Sequence, residues 1–276
     1  MPEILRFTNL FFAAALIAPL PAASHEFWIE PRSYELNVGE SIEADLKNGE
    51  VFKGSTYPFL KRFFSDFIVI DRAGARPVDG RMGDNPAVNL KTERGGLHVF
   101  AYASTRNIVN YAKFDKFEAF VKSKRLDRIA DTHRERGWPM EKIKETYYRY
   151  AKALVKVGSG AGRDRSVGMP IELVAEINPY SAAAKDGVRF QLLWRGAPLP
   201  DWDVQVFHFA PGADEATTTH LTTDKTGRVT VPPMGGGEFL VNAVQITEPR
   251  VEDAQVNALW ESIWASTTYA LPAEAE

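Results

Sequence analysis

The chain has 276 residues, 45% hydrophobic and 25% charged, with a formal net charge of -3; that is a folding composition, and it excludes disordered and collagen-like classes. Acids slightly outnumber bases, so there is no excess positive charge for phosphate contacts, and a nucleic-acid binder of the ordinary basic kind is excluded. Cysteine is absent, which removes a disulfide scaffold, a thiolate zinc site and a Cys nucleophile together.

Residues 1–24 read MPEILRFTNLFFAAALIAPLPAAS. Arg6 and the amine give positive charge, diluted by Glu3. Leu10 to Leu20 form an apolar run, and Ala22 and Ser24 put small residues at the -3 and -1 positions of a cleavage site. This is the pattern of a secretory signal cut after Ser24, and the apolar run is short for a membrane span of ~20 residues. It predicts an exported, periplasmic protein that does not span the membrane once the signal is gone.

Cleavage after Ser24 would leave His25 at the mature N-terminus. Its freed α-amine and ring Nδ1 belong to one residue and can close a chelate on a divalent cation. Nitrogen donors suit Ni, Co, Cu and Zn. The plainer alternative is that His25 merely marks where the signal ends.

Residues 25–111 read mainly as strands: EFWIEP, YELNV, SIEADL, DFIVIDR and LHVFAYAS are short, rich in aromatic and β-branched residues, and bounded by turn formers. The stretch 48–63 between them is expected to be a long loop. Residues 112–157 change period. Phe114, Phe117, Phe120 and Val121 recur at helical spacing, and so do Ile143, Tyr147, Tyr150 and Leu154 after Pro139. The spacing predicts a helical hairpin of two or three short helices, its aromatic stripe serving packing. Residues 158–166, GSGAGRDRS, are glycine-rich but follow a predicted helix and precede a strand, the reverse of a dinucleotide-binding loop, and are read as a linker. Residues 167–276 form a second β unit with about seven strands: PIELVAEIN, VRFQLLW, DVQVFHFA, THLTT, RVTV, EFLVNAVQI and WASTTYAL. The expected fold is mainly β with a helical insert: two immunoglobulin-like or prealbumin-like β-sandwich units joined by a helical hairpin.

Several segments, in this order, resemble the domain of unknown function 4198 family, whose members are described as NikM-like periplasmic components of nickel or cobalt uptake. They are HEFWIEP (25–31), KFEAFVKSKRLDRI (116–129), ETYYRYAKALVKVG (145–158), PIELVAEINPY (170–180), FQLLWRGAPLPDWDVQVF (190–207), TTDKTGRVTV (222–231), FLVNAVQI (239–246) and WESIWASTTYAL (260–271). The resemblance implies a non-catalytic periplasmic accessory of divalent metal uptake, with a membrane metal permease as partner. Some relatives carry a C-terminal membrane helix, whereas this sequence stops at AEAE.

His25 gains most, because the matching motif starts on it. Glu26 beside it could add an oxygen, although strand alternation turns its side chain away. His98 and His208 sit on strand faces, read mainly as structural histidines but also as the only strand candidates for a second ligand facing His25. His133, among charges, and His220, among threonines, are expected on exposed faces. No HxH, HxxxH or HExxH spacing occurs, so a site would have to be assembled by folding. The metal candidates are therefore His25, Glu26, His98 and His208. No organic cofactor is expected, nor an enzyme: there is no G-x-S-x-G elbow and no zinc-protease helix. The acidic pair Glu172 and Glu176 falls on one strand face, but such spacing does not by itself mark a glycosidase. The alternatives are a non-catalytic module holding a protein partner or glycan at the envelope and, more remotely, a copper-dependent enzyme on a terminal-His centre.

Overall fold

The computed structural model describes residues 25–250 and 256–273. The predicted signal peptide lies outside the described residues. In chain order the elements are β1 (Glu26–Pro31), β2 (Glu35–Leu36), β3 (Ser41–Glu50), β4 (Lys53–Tyr57), β5 (Phe64–Asp71), β6 (Gly74–Pro77), β7 (Val88–Lys91), β8 (Gly96–Ser104) and β9 (Asn107–Lys113). Helices α1 (Phe114–Ser123) and α2 (Asp127–Glu135) follow, then β10 (Glu141–Val157), β11 (Ile171–Ala175), β12 (Val188–Trp194), β13 (Ala197–Pro198), β14 (Asp203–Phe209), β15 (Thr217–Thr222), β16 (Arg228–Val231), β17 (Gly237–Thr247) and β18 (Trp260–Leu271).

The strands form three sheets. A 4-stranded first sheet runs β1-β3-β4, with β7 on β3; a 10-stranded middle sheet runs β15-β14-β17-β18-β10-β8-β5-β6, with β2 and β9 also on β10; a 4-stranded third sheet holds β11, β12, β13 and β16. The middle sheet takes strands from before and after the helices, and β10 lies parallel to β18 at its centre. Its two faces feed separate cores. Alternation along β8 sends Leu97, Val99, Ala101 and Ala103 against the third sheet's Ile171, Leu173, Phe190 and Leu192, and Phe100 and Tyr102 against Phe27, Ile29, Ile42 and Ala44 of the first sheet. The two sandwiches thus share their middle layer, with the first sheet on one face and the third on the other. The helices close one end, where Phe117, Phe120, Ile129 and Ala130 pack on Trp260 and Trp264.

The fold is mainly β with a helical insert, as expected, and all seven strands expected after residue 167 are present. The insert is shorter than expected. Only α1 and α2 are helical, and residues 141–157 are one 17-residue strand. The reason is that β10 is covered on both faces: Tyr150 and Leu154 enter one core while Ala151, Ala153, Val155 and Val157 enter the other. A strand buried on both sides loses the polar alternation that distinguishes it from a helix, so Ile143, Tyr147, Tyr150 and Leu154 match a helical period by coincidence. Stretch 48–63 is likewise not an open loop. It holds the end of β3 and the whole of β4, which pair as a tight hairpin from Leu46↔Tyr57 to Glu50↔Lys53. Gly54 is required there, because a Cβ at that position would lie 2.5 Å from the Asn48 carbonyl oxygen.

Candidate functional site

The HEFWIEP segment is held from both sides. β1 pairs along its length with β3, from Glu26↔Gly49 to Pro31↔Ala44. From the middle sheet, the Ser266 and Thr268 hydroxyls each donate to a β1 carbonyl, of Phe27 and Ile29, at 2.7 Å. Trp28 is fully buried against Phe207 and Leu240. The strand therefore presents its first neighbour, His25, from a fixed base.

His25 is half-buried, and its ring Nδ1 lies 3.0 Å from Glu50 Oε1. Its carbonyl oxygen accepts a 2.9 Å bond from Arg149 Nη2. Glu50 ends β3 and is exposed. An imidazole nitrogen and a carboxylate oxygen thus converge, and a free amine on His25 would join them through the bonds of that same residue. This is a nitrogen-and-oxygen donor set of the kind that suits nickel, cobalt, copper or zinc.

The other candidates are placed elsewhere. Glu26 is buried and turned from His25, in a short ion pair with Lys124; the same ammonium donates to Gln205 Oε1 at 2.7 Å and lies over the Trp264 ring. His98 is buried, with Nδ1 3.3 Å from the Gly96 carbonyl oxygen and Nε2 3.5 Å from Asp71. Burial lowers its pKa, while the Gly96 bond and Asp71 pull the other way. His208 donates from Nε2 to the Gly236 carbonyl at 2.9 Å and stacks on Phe239 with ring centroids 4.4 Å apart. Among the described residues, no group of three or more His, Asp and Glu side chains is placed to hold a metal ion. The structure pairs His25 with Glu50.

His133 corrects its expectation of exposure. It is wholly buried, with Trp260 Nε1 donating to its Nδ1 at 3.0 Å and its Nε2 2.9 Å from the Pro139 carbonyl oxygen. Because the indole can only donate, Nδ1 is the acceptor and Nε2 carries the proton. His133 is a neutral tie between α2, the turn after it and β18. His220 is half-exposed and bonds Asp203 Oδ2 at 2.8 Å.

A small pocket of about 90 Å³ is lined in part by Arg149, the residue that bonds the His25 carbonyl. Phe27, Tyr57, Phe63, Phe64, Tyr102 and Tyr147 give it aromatic walls; Asn48 and Arg149 supply polar groups. The Arg149 guanidinium sits over Tyr147, 4.4 Å from the ring centroid. Asn48 Oδ1 and Arg149 Nε are buried with no hydrogen-bond partner within the described chain, a costly state unless something else binds there. Glu50, Asn48 and Arg149 are not identifiable from the sequence. They come from β3 and β10, nearly a hundred positions apart, and no local motif marks them.

Fold and site together define a β-sandwich protein with a short helical insert and a small polar-aromatic recess beside the start of its first strand. Among the described residues no helix is long and apolar enough to cross a membrane. The chain belongs to the family described as Domain of unknown function (DUF4198), which matches residues 22–247. The matched span takes in His25, Glu50, both helices and the strands up to β17. A comparison with curated proteins finds no match.

Proposed function

We propose that the protein is an exported, periplasmic accessory that binds a divalent transition metal, nickel or cobalt foremost, at a mature N-terminus beginning with His25. The observation that carries this reading is the 3.0 Å approach of His25 Nδ1 to Glu50 Oε1. The α-amine and Nδ1 of His25 would hold the ion with the Glu50 carboxylate. Arg149, bound to the His25 carbonyl, keeps the residue oriented. Protons compete for the amine, so affinity rises with pH through neutrality. A membrane metal permease is the partner such a carrier would serve. Titration calorimetry with nickel on the mature protein tests the reading. Glu50→Gln and His25→Ala are each expected to weaken binding by about tenfold or more, the size of change that follows loss of a metal-site partner. Unchanged affinity in both variants would refute it.

A second reading, a non-catalytic module holding a glycan or a protein segment, is favoured by the neighbouring pocket. Its aromatic walls and the unpartnered Asn48 Oδ1 and Arg149 Nε suit a ring or a short polar group. On that reading Tyr147→Ala abolishes ligand capture, while nickel binding is absent or indifferent to Glu50.

A further inference from the structure

Lys152 is an unusual residue for its place. It stands between Tyr150 and Leu154 near the middle of β10, and its side chain is 1% exposed. An ammonium taken this far from water must be fully paired. Its Nζ lies 2.7 Å from Asp164 Oδ1 and 2.8 Å from Asp164 Oδ2, 3.2 Å from Glu172 Oε1, and 3.1 Å from the Arg165 carbonyl oxygen. Both carboxyl side chains are as buried as the lysine.

Two carboxyls face one ammonium here, so one additional proton makes the group neutral. Both carboxyls also accept hydrogen bonds from elsewhere. Glu172 accepts from the Ser166 hydroxyl at 2.7 Å, Val167 N–H at 2.9 Å and Gly168 N–H at 3.3 Å. Asp164 accepts from two backbone N–H groups, of Arg165 at 2.8 Å and Ala175 at 2.9 Å. Burial pushes the Asp164 carboxyl up. Condensation at Asp164 takes that proton on the Asp164 carboxyl. An Nζ held close to both Asp164 oxygens is also close to the carbon between them, and proximity of this kind is what a bond-forming step between the two side chains needs first.

We propose that Lys152 and Asp164 condense into an intramolecular isopeptide bond, with Glu172 as the proton relay. The ammonium gives a proton to Glu172 and frees its lone pair. Nζ attacks Cγ of the protonated Asp164 carboxyl; Arg165 N–H bonds one Asp164 oxygen and Ala175 N–H the other, so the oxygen on which negative charge develops keeps one backbone donor. Glu172 then passes its proton to the departing hydroxyl and takes one from the new C–N nitrogen, so the Cγ–O bond breaks. The products are a neutral amide, one water and a protonated Glu172. No oxidant or other co-reactant is needed, and two buried charges are removed. The bond would staple β10 of the middle sheet to the strap leading into β11 of the third. In a chain without cysteine it supplies the covalent loop closure that a disulfide gives elsewhere.

Intact mass spectrometry under denaturing conditions tests this, on purified protein whose first residue has been determined. The expected mass is one water below that of the sequence, and digestion gives a branched peptide joining Lys152 to Asp164. Lys152→Met and Asp164→Ala restore the full mass, and Glu172→Gln leaves most of the protein unlinked. A wild-type protein at full mass overturns the proposal, and so does a water loss that persists in Lys152→Met. Complete linkage in Glu172→Gln overturns the relay role. The wild-type measurement decides the bond even if a variant fails to fold.

Discussion

Glu145 gives a direct test of the packing around the helical end. It lies on β10 between β9 and β18, opposite Val109 and Trp260, and is wholly buried. Tyr111 donates to it at 3.0 Å, and the Ser262 hydroxyl donates to its other oxygen. Burial raises its pKa from 4.5 to about 7, against the smaller opposing pull of Ser262, Tyr111 and Arg149. Between those two values the folded state holds a proton that the unfolded state has lost, so stability falls as pH rises through this window and levels off above it. The gap corresponds to about 3 kcal/mol, with a steepest slope of about 1.4 kcal/mol per pH unit. Glu145→Gln keeps one acceptor oxygen, places an NH2 donor where the other oxygen stood, and cannot ionise; the cost of that exchange offsets its stability equally at every pH, so only the change with pH is compared. Urea unfolding of both proteins across the window measures the difference. Groups such as Glu176 and Asp224, whose pKa values are lowered by Arg228 bonds, are common to both and cancel. The wild type is expected to lose about 3 kcal/mol relative to the variant as pH rises. Parallel stability curves would refute the reasoning.

Two further substitutions probe other buried polar ties. Trp260→Phe removes the donor to His133 Nδ1 and leaves that nitrogen unpaired; urea unfolding should show a loss of at least about 1–3 kcal/mol, the cost of an unsatisfied buried group, and an unchanged midpoint would contradict the Nε2-protonated tautomer of His133. Lys124→Met strands the buried Glu26 carboxylate and should cost about 3–5 kcal/mol, most of it recovered in Lys124→Met/Glu26→Gln. If the double variant is no more stable than the single one, the ion pair is not what the lysine supplies.

Strand β12 is legible by alternation, with Val188, Phe190 and Leu192 buried and Arg189 exposed between them. Strands β14 and β17 are buried on both faces and are legible instead by their short runs of β-branched and aromatic residues, while α1 shows Phe117 and Phe120 on one face. Strand β10 reads as helix because two cores cover it and erase its alternation. The short strands β4, β6 and β7 are barely buried and leave little apolar signal. His133 is hidden for a related reason: its charged neighbours face solvent on α2, while its own ring turns inward to an indole more than a hundred residues away. At the candidate site His25 is visible because it follows the small residues of a cleavage pattern. Glu50 and Arg149 are not, since only the β1–β3 and β10–β18 pairings bring them beside it. Glu172 and Glu176 stand out in the sequence as a pair, yet the two face different partners, Lys152 and Arg228.

The proposed metal-binding role rests on a free amine at His25, and one titration addresses it most directly. Nickel binding is measured on protein that begins at His25 and on protein carrying a single additional residue ahead of it. The extension converts the amine to an amide while leaving the imidazole and Glu50 in place. Affinity is predicted to fall by about tenfold or more on extension; equal affinity in the two proteins, or no nickel binding by either, contradicts the account.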